Sequence, residues 1–250
     1  MAKSLEFEAN LPYSPQRIFS EVITLMLRSI LLRKNATLKT NHNPSIKSLV
    51  ILGIVAFSSL FNLNSLAGDV ERGERIAQTC LGCHGAPGLR NPGPVYSIPM
   101  VGGQHPEYII SALQAYKSKQ RSHRTMQAQA SNLSDQDMAD IAAFFGAMAG
   151  NSRPSHVNAQ AAARGQTKSA ICASCHGAAG DGDNVTFPKL AGQYESYLAQ
   201  ALKDYRSGNR QNGIMAGFAG TLKINDIEDL AAWFASQQGG LSAPQSKIFK

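Results

Sequence analysis

The stretches Cys80-Leu81-Gly82-Cys83-His84 and Cys172-Ala173-Ser174-Cys175-His176 decide the fold of this 250-residue chain, and they contain all four of its cysteines. Each has the spacing Cys-x-x-Cys-His, which marks the attachment of a covalent c-type haem. Residues three and four apart lie on one face of a helix, so the two thiols and the imidazole of each stretch can reach one cofactor. The sequence therefore predicts two covalently bound haem c groups, with the cysteines as thioether donors and His84 and His176 as ligands of the iron.

Two other kinds of site use a Cys-x-x-Cys pair. A thioredoxin-like redox pair belongs near a βαβ pattern, and neither stretch has one around it. A zinc ribbon places its two pairs about 15–20 residues apart, whereas most of a domain separates Cys83 from Cys172. Neither alternative requires a histidine directly after the second cysteine, and here the histidine occurs twice.

An internal repeat indicates that the two halves arose by duplication. Residues 103–126 align without gaps on residues 192–215, and nine of the 24 pairs are identical. The identical pairs are Gly103/Gly192, Gln104/Gln193, Tyr108/Tyr197, Ala112/Ala201, Leu113/Leu202, Tyr116/Tyr205, Ser118/Ser207, Arg121/Arg210 and Met126/Met215. We therefore expect two homologous domains.

The repeat also selects candidates for the second axial ligand of each iron. Met126 and Met215 occupy equivalent positions in polar stretches that read as loops, where packing explains a methionine poorly. A thioether ligand raises the reduction potential of haem iron. Met100 is the main rival in the first half, but its counterpart is Lys189. We predict Met126 and Met215 as the distal ligands.

Other matched residues suggest how the haems are held. Pro99 and Pro188 each precede a Gly-Gln pair, so their carbonyls can accept the second ring N–H of the ligand histidines, although a plain turn proline explains them equally well. Haem propionates can be bound by the matched residues Tyr108, Tyr197, Tyr116, Tyr205, Arg121 and Arg210, which can also be core tyrosines and solvated arginines. Surface or loop positions are expected for His42, His105, His123 and His156. A bis-histidine haem through His123 stays a minor alternative.

The N-terminal part predicts export. The apolar run 48–61 follows Lys47 and ends near the small residues 65–67, as in a cleaved signal peptide. The run is short for a membrane span. Residues 1–67 contain seven of the 24 Lys and Arg and three of the 17 Asp and Glu, so the net charge of +7 falls to about +3 in the remainder. Nothing in this balance suggests nucleic-acid binding.

Helical patterns predict an all-α fold for both halves. The first helix of each half contains a glycine, Gly73 or Gly165, which allows a close approach by the last helix. The last helix follows a predicted capping box at 134–137 or 225–228. Its apolar faces are Met138, Ile141 and Phe145, and Ile227, Leu230 and Phe234. We expect an N-terminal extension with signal peptide at 1–67, domains at 68–150 and 161–250, a linker at 151–160, and a loose tail from Gly239.

The order of these elements resembles that of class I c-type cytochromes, and the duplication after a signal peptide resembles the dihaem cytochrome c4 family. The stretches 187–193 and 205–210 are the most specific to that family, and the resemblance covers 68 to about 238. It implies two tandem haem domains and a periplasmic electron carrier without catalytic residues. Such a carrier takes electrons from a quinol-oxidising cytochrome bc complex or a soluble donor, and passes them to a terminal oxidase or reductase. Some members associate with the membrane surface.

A cytochrome subunit of a periplasmic dehydrogenase, such as a sulfide-oxidising flavoprotein, is the main alternative, and a dihaem peroxidase-like enzyme is the next.

Overall fold

The computed structural model describes residues 67–150 and 157–243. The predicted signal peptide, apart from its last residue, and most of the predicted linker lie outside these ranges. Within them the regular secondary structure is helical. Three isolated β-bridges occur in these ranges, but no strands. The all-α prediction is therefore confirmed. In the same ranges no helix combines the length and the apolar character that a membrane span needs.

The described helices form two equivalent sets of five. The first set comprises α1 (Val70–Ile76), α2 (Gln78–His84), α3 (Pro106–Lys117), α4 (Arg124–Ser131) and α5 (Asp135–Gly146). The second set comprises α6 (Ala159–Lys168), α7 (Ala170–His176), α8 (Glu195–Ser207), α9 (Gly213–Thr221) and α10 (Ile224–Ser236). Each motif of the Cys-x-x-Cys-His type occupies the second helix of its set.

Each half is built on a close crossing of its first and last helices. A Cβ atom on Gly73 would lie 2.0 Å from the Asp140 carbonyl oxygen, and one on Gly165 would lie 1.9 Å from that of Asp229. Only glycine fits at either crossing. The apolar faces of α5 and α10 are buried as predicted, with Met138 and Ile227 inaccessible to solvent. Helices α3 and α8 pack on these same last helices.

The start of the last helix differs between the halves. The predicted capping box is confirmed at Ser134 and Asp137, whose side chains accept hydrogen bonds from each other's backbone N–H groups. The predicted box at 225–228 is wrong. Helix α10 follows Lys223, and Asp226 accepts from the Lys223 N–H at 3.0 Å. Lysine has no side-chain acceptor, so the reciprocal half of the box is missing.

The two halves contact each other through equivalent segments. Arg121 and Arg210 form an antiparallel bridge. A second bridge joins Gly102 to Ser242, with N···O distances of 3.0 and 2.8 Å. The expectation of a loose tail from Gly239 is therefore wrong for residues 239–243: Leu241 is fully buried, and its neighbour pairs with the first half.

Candidate haem sites

The cysteines of each motif lie on one face of a short helix. Cys80 and Cys83 are one turn apart on α2, and Cys172 and Cys175 are one turn apart on α7. No disulfide joins any of the four. Cys80 packs against the core of the first half and Cys172 against that of the second, and burial raises the pKa of both thiols.

The candidate ligand histidine ends each of these helices, and one of its ring nitrogens is hydrogen-bonded. The Nδ1 atom of His84 lies 2.8 Å from the Pro99 carbonyl oxygen, and that of His176 lies 2.9 Å from the Pro188 carbonyl oxygen. Because a carbonyl only accepts, Nδ1 carries the proton in both rings. The predicted proline hydrogen bonds are thus confirmed. Burial lowers the pKa of both imidazoles, so the neutral ring presents its Nε2 lone pair to a metal.

The two methionines lie in the first turns of helices, not in loops as the sequence suggested. Met126 N–H donates to His123 Nδ1 at 3.2 Å, and Met215 N–H donates to Asn212 Oδ1 at 3.0 Å. His123 and Asn212 are therefore the N-caps of α4 and α9. These caps were not predicted: His123 aligns with Asn212, but asparagine is a typical N-cap residue and histidine is not, so the pair does not indicate a shared cap.

The capping role bears on the alternative haem ligand His123. Its Nε2 lies 3.1 Å from Asn91 Oδ1, and its Nδ1 caps α4. Both ring nitrogens therefore have protein partners. A bis-histidine haem through His123 would require at least one of these hydrogen bonds to break.

Two buried arginines lie between the halves. Arg121 and Arg210 are only 8% and 7% exposed, so the interpretation of solvated arginines is wrong. Arg210 donates to the hydroxyl of Tyr108 in the other half at 2.6 Å, and Arg121 donates to the same oxygen at 3.2 Å. Burial alone would raise the pKa of Tyr108, but the two positive charges outweigh it and lower the pKa to about 8.

Neither arginine of this pair contacts a carboxylate of the described residues directly, although the charge of Arg210 acts on the nearby Asp204 carboxylate. Among the described residues the ion pairs to carboxylates do not include Arg121 or Arg210. The Nε atom of Arg210 is buried without a hydrogen-bond partner. Unpaired buried cations are costly, so the cluster fits an anionic group such as a haem propionate.

His105 contradicts the expectation of a surface histidine. It is buried, and its Nε2 lies 2.9 Å from the Gly182 carbonyl oxygen of the second half. Tyr194, the aligned residue of the second half, also bonds across to the other half: its hydroxyl accepts from the Gly88 N–H at 3.3 Å. Contacts between the halves have no local signal in the sequence. Neither His42 nor His156 lies within the described residues.

The donor set of each half fits a covalent haem: two thiols on one helix face, a neutral imidazole with a free Nε2, and a buried cation toward the interface. The fold and these donors define a tandem pair of class I c-type cytochrome domains. The family model for cytochrome c matches residues 70–148 and again 162–238.

Comparison with known proteins gives the family. The chain is 33% identical to cytochrome c4 of Pseudomonas aeruginosa, over 74% of this chain and 96% of the relative. It is 32% identical to a thiosulfate dehydrogenase electron acceptor of Stutzerimonas stutzeri, over 64% of this chain and 79% of the relative. The crystal structure of reduced recombinant cytochrome c4 from Pseudomonas stutzeri matches 69% of this chain and 100% of its own, with 32% identity and a TM-score of 0.59. The chain belongs to the dihaem cytochrome c4 family.

It follows that this protein carries two covalently bound haem c groups and transfers electrons to and from redox partners. The cofactor prediction and the family resemblance are confirmed.

Proposed function

We propose that each half binds its haem through the residues that the motifs and the repeat select. In the first half Cys80 and Cys83 form the thioethers, His84 binds the iron through Nε2, and Met126 is the distal ligand. The second half repeats this set with Cys172, Cys175, His176 and Met215. The observation that carries the proposal is the Nδ1 hydrogen bond of both histidines to a proline carbonyl, since it leaves Nε2 of each ring for iron.

The rival distal ligand Met100 fits less well. It directly follows Pro99, whose carbonyl bonds Nδ1 of His84. Nδ1 and Nε2 lie on opposite sides of the imidazole ring. The chain around Met100 contacts the Nδ1 side, whereas the iron would be bound on the Nε2 side. Met126 is favoured because its counterpart is also a methionine, whereas the counterpart of Met100 is Lys189.

We assign the interface arginines to the haem propionates. Arg121 and Arg210 are buried beside each other without a carboxylate partner among the described residues, and guanidinium groups bind carboxylates in a forked geometry. Propionates would supply the missing negative charge. Tyr108 would then hydrogen-bond within this charged cluster rather than ionise.

The bound haem iron supplies one-electron redox chemistry, and the chain holds it. With a histidine and a methionine on each iron, neither haem would have an open position for oxygen or peroxide, which favours a carrier over an enzyme. The burial of the rings and the thioether ligands would keep the potentials high.

We propose a periplasmic carrier that accepts electrons from a quinol-oxidising cytochrome bc complex or a soluble donor and delivers them to a terminal oxidase or reductase. The proposed organisation is a leader at 1–67, haem domains at 68–150 and 161–250, and a linker between them. The alternative is a dedicated partner of a periplasmic dehydrogenase. The similarity to a thiosulfate dehydrogenase electron acceptor favours that alternative over the peroxidase-like one.

Reconstitution distinguishes these functions. Membranes washed free of soluble c-type cytochromes should regain quinol-driven oxygen consumption when the holoprotein is added. The proposal fails if oxygen consumption does not return and the holoprotein instead co-purifies with a flavoprotein or a thiosulfate dehydrogenase that reduces it. Turnover of hydrogen peroxide by the holoprotein alone would place it among enzymes.

A further inference from the structure

The side chain of Gln193 crosses from the second half to the first and pairs with one backbone residue. Its Oε1 accepts from Met100 N–H at 3.0 Å, and its Nε2 donates to the Met100 carbonyl at 2.9 Å. Oε1 also accepts from Tyr194 N–H at 3.0 Å, which fixes the amide in this orientation. The side chain is buried, so water does not compete for these bonds.

Gln104 makes the reciprocal crossing in the opposite direction. Its Oε1 accepts from Lys189 N–H at 2.9 Å, and its Nε2 donates to the Lys189 carbonyl at 3.0 Å. It too is buried, and its Oε1 also accepts from the next residue, His105. Each half therefore contributes one glutamine to a loop of the other half.

These loops are the ones that contact the ligand histidines. The Pro99 carbonyl and the Met100 N–H belong to the same peptide group. The hydrogen bonds thus form a continuous chain: His84 Nδ1–H to the Pro99 carbonyl, and Met100 N–H to Gln193 Oε1. In the other half, His176 Nδ1–H donates to the Pro188 carbonyl, and Lys189 N–H donates to Gln104 Oε1.

A peptide group that donates a hydrogen bond becomes a stronger acceptor, because hydrogen bonds in a chain polarise one another. A stronger acceptor at Nδ1 makes the imidazole a more basic ligand. A more basic ligand favours ferric iron and lowers the reduction potential.

We propose that each glutamine is a positioning residue for the haem of the opposite half: Gln193 tunes the haem that His84 binds, and Gln104 tunes the haem that His176 binds. This rests on the proposed histidine ligands. The potential of each haem then depends on the docked arrangement of both domains, so a single isolated domain would not reproduce the potentials of the whole protein.

Exchange of each glutamine for methionine tests the crossing, because methionine has a similar length but no strong acceptor for the loop N–H and no donor. The readout is the midpoint potential of each haem in the holoprotein, followed through its own shifted methyl resonances and assigned through the protons of its cysteines. Gln193→Met should raise the potential of the haem attached at Cys80 and Cys83, and Gln104→Met should raise that of the other haem. Gln136→Met on α5, remote from both loops, is the matched control and should change neither.

The proposal is overturned if Gln193→Met shifts the haem of its own half, or shifts both equally, or shifts neither. Gln193→Asn is the second variant for the case that the methionine variant does not fold, since it keeps an amide but draws it back from Met100. It should move the same haem in the same direction by less. If the unmodified protein shows no methionine-ligand signal, the ligand assignment is refuted, whichever haem potential the glutamine variants shift.

Discussion

At the scale of single residues, the histidines that we propose as proximal ligands are prepared for a metal by their surroundings. Burial lowers the pKa of His84 and His176, so both are neutral near pH 7. The proline carbonyls fix the proton on Nδ1 and the orientation of the ring. A neutral ring in a fixed orientation needs no proton loss and little reorganisation to bind iron.

The distal ligands can be tested by replacing the methionines one at a time. In Met126→Ala the haem of the first half should lose the methionine–ferric charge-transfer band and have a lower potential, because the thioether favours ferrous iron. Met215→Ala should have the same effect on the second haem only. The optical spectrum and a redox titration measure both effects.

Met100→Leu is the control, since it removes the rival thioether with little change in volume. It should keep the charge-transfer band of both haems. If the band of the first haem disappears in Met100→Leu and survives in Met126→Ala, then Met100 is the ligand.

At the scale of elements, each domain depends on the crossing of its first and last helices. Gly165 on α6 lets the backbone of α10 approach, and Gly73 on α1 does the same for α5. A charged cluster covers each crossing. In the first half Arg72 bonds Asp137 and Asp140, and in the second Arg164 and Lys168 bond Asp229.

Gly165→Ala should destabilise the second domain by about 3 kcal/mol, because overpacking of this kind forces the helices apart. The added Cβ would lie 2.8 Å from the Trp233 Cβ as well as against the Asp229 carbonyl. Denaturant unfolding of the holoprotein, followed through the haem spectrum, measures the loss.

Gly217→Ala on α9 is the matched control. Its Cβ would meet no atom within 4 Å, and alanine in a helix is favoured over glycine by about 0.5–1 kcal/mol. Equal stabilities for Gly165→Ala and the unmodified protein would show that the crossing is looser than described.

The capping box of α5 should make the first domain sensitive to acid. Hydrogen bonds from Ser134, together with Arg72, lower the pKa of Asp137 from 3.8 to about 2. A carboxyl group with a lowered pKa in the folded state contributes stability above its unfolded pKa and loses it as the pH falls. Stability should therefore decrease as the pH falls from about 4 to about 2.

In Asp137→Asn, the melting temperature should fall less steeply over this pH range than in the unmodified protein. Asp135→Asn, at an exposed position of the same turn, should leave the slope unchanged. Equal slopes for the two variants would mean that Asp137 does not carry the acid dependence.

The helices were predictable because their signals are local. The motif spacing, the apolar face from Met138 to Phe145 and the capping box at Ser134 each lie within a few residues of the structure that they specify. The second capping site was missed although the gap-free alignment already pairs Ser134 with Lys223. The register of the repeat places this cap correctly, whereas the Asn225-x-x-Glu228 spacing places it two residues too late.

Contacts between the halves were not predictable from either half alone. Nothing in the sequence around His105, Leu241 or Arg210 indicates burial, because His105, Arg210 and the neighbour of Leu241 each bond to the other half. The identity of Gln104 and Gln193 in the repeat was visible, but its meaning depends on the crossed geometry.

At the scale of the whole molecule, duplication has produced an interface in which equivalent segments meet. Arg121 lies against Arg210, and the two glutamines cross. A further contact, between positions that are not equivalent in the repeat, joins Ser242 to Gly102. The buried positive charge of this interface lies where we place the haem propionates. The two electron-transfer centres are thus parts of one structural unit rather than independent domains on a tether.

The most direct test of the account is a redox titration of the holoprotein, matured in a bacterial periplasm, followed by optical and magnetic-resonance spectra. We predict two low-spin haems, each with the methionine–ferric charge-transfer band, and no binding of carbon monoxide to either ferrous iron. A high-spin fraction, or one haem that binds carbon monoxide readily, would show an open iron. That result would contradict the ligand assignment in that domain and the carrier function built on it.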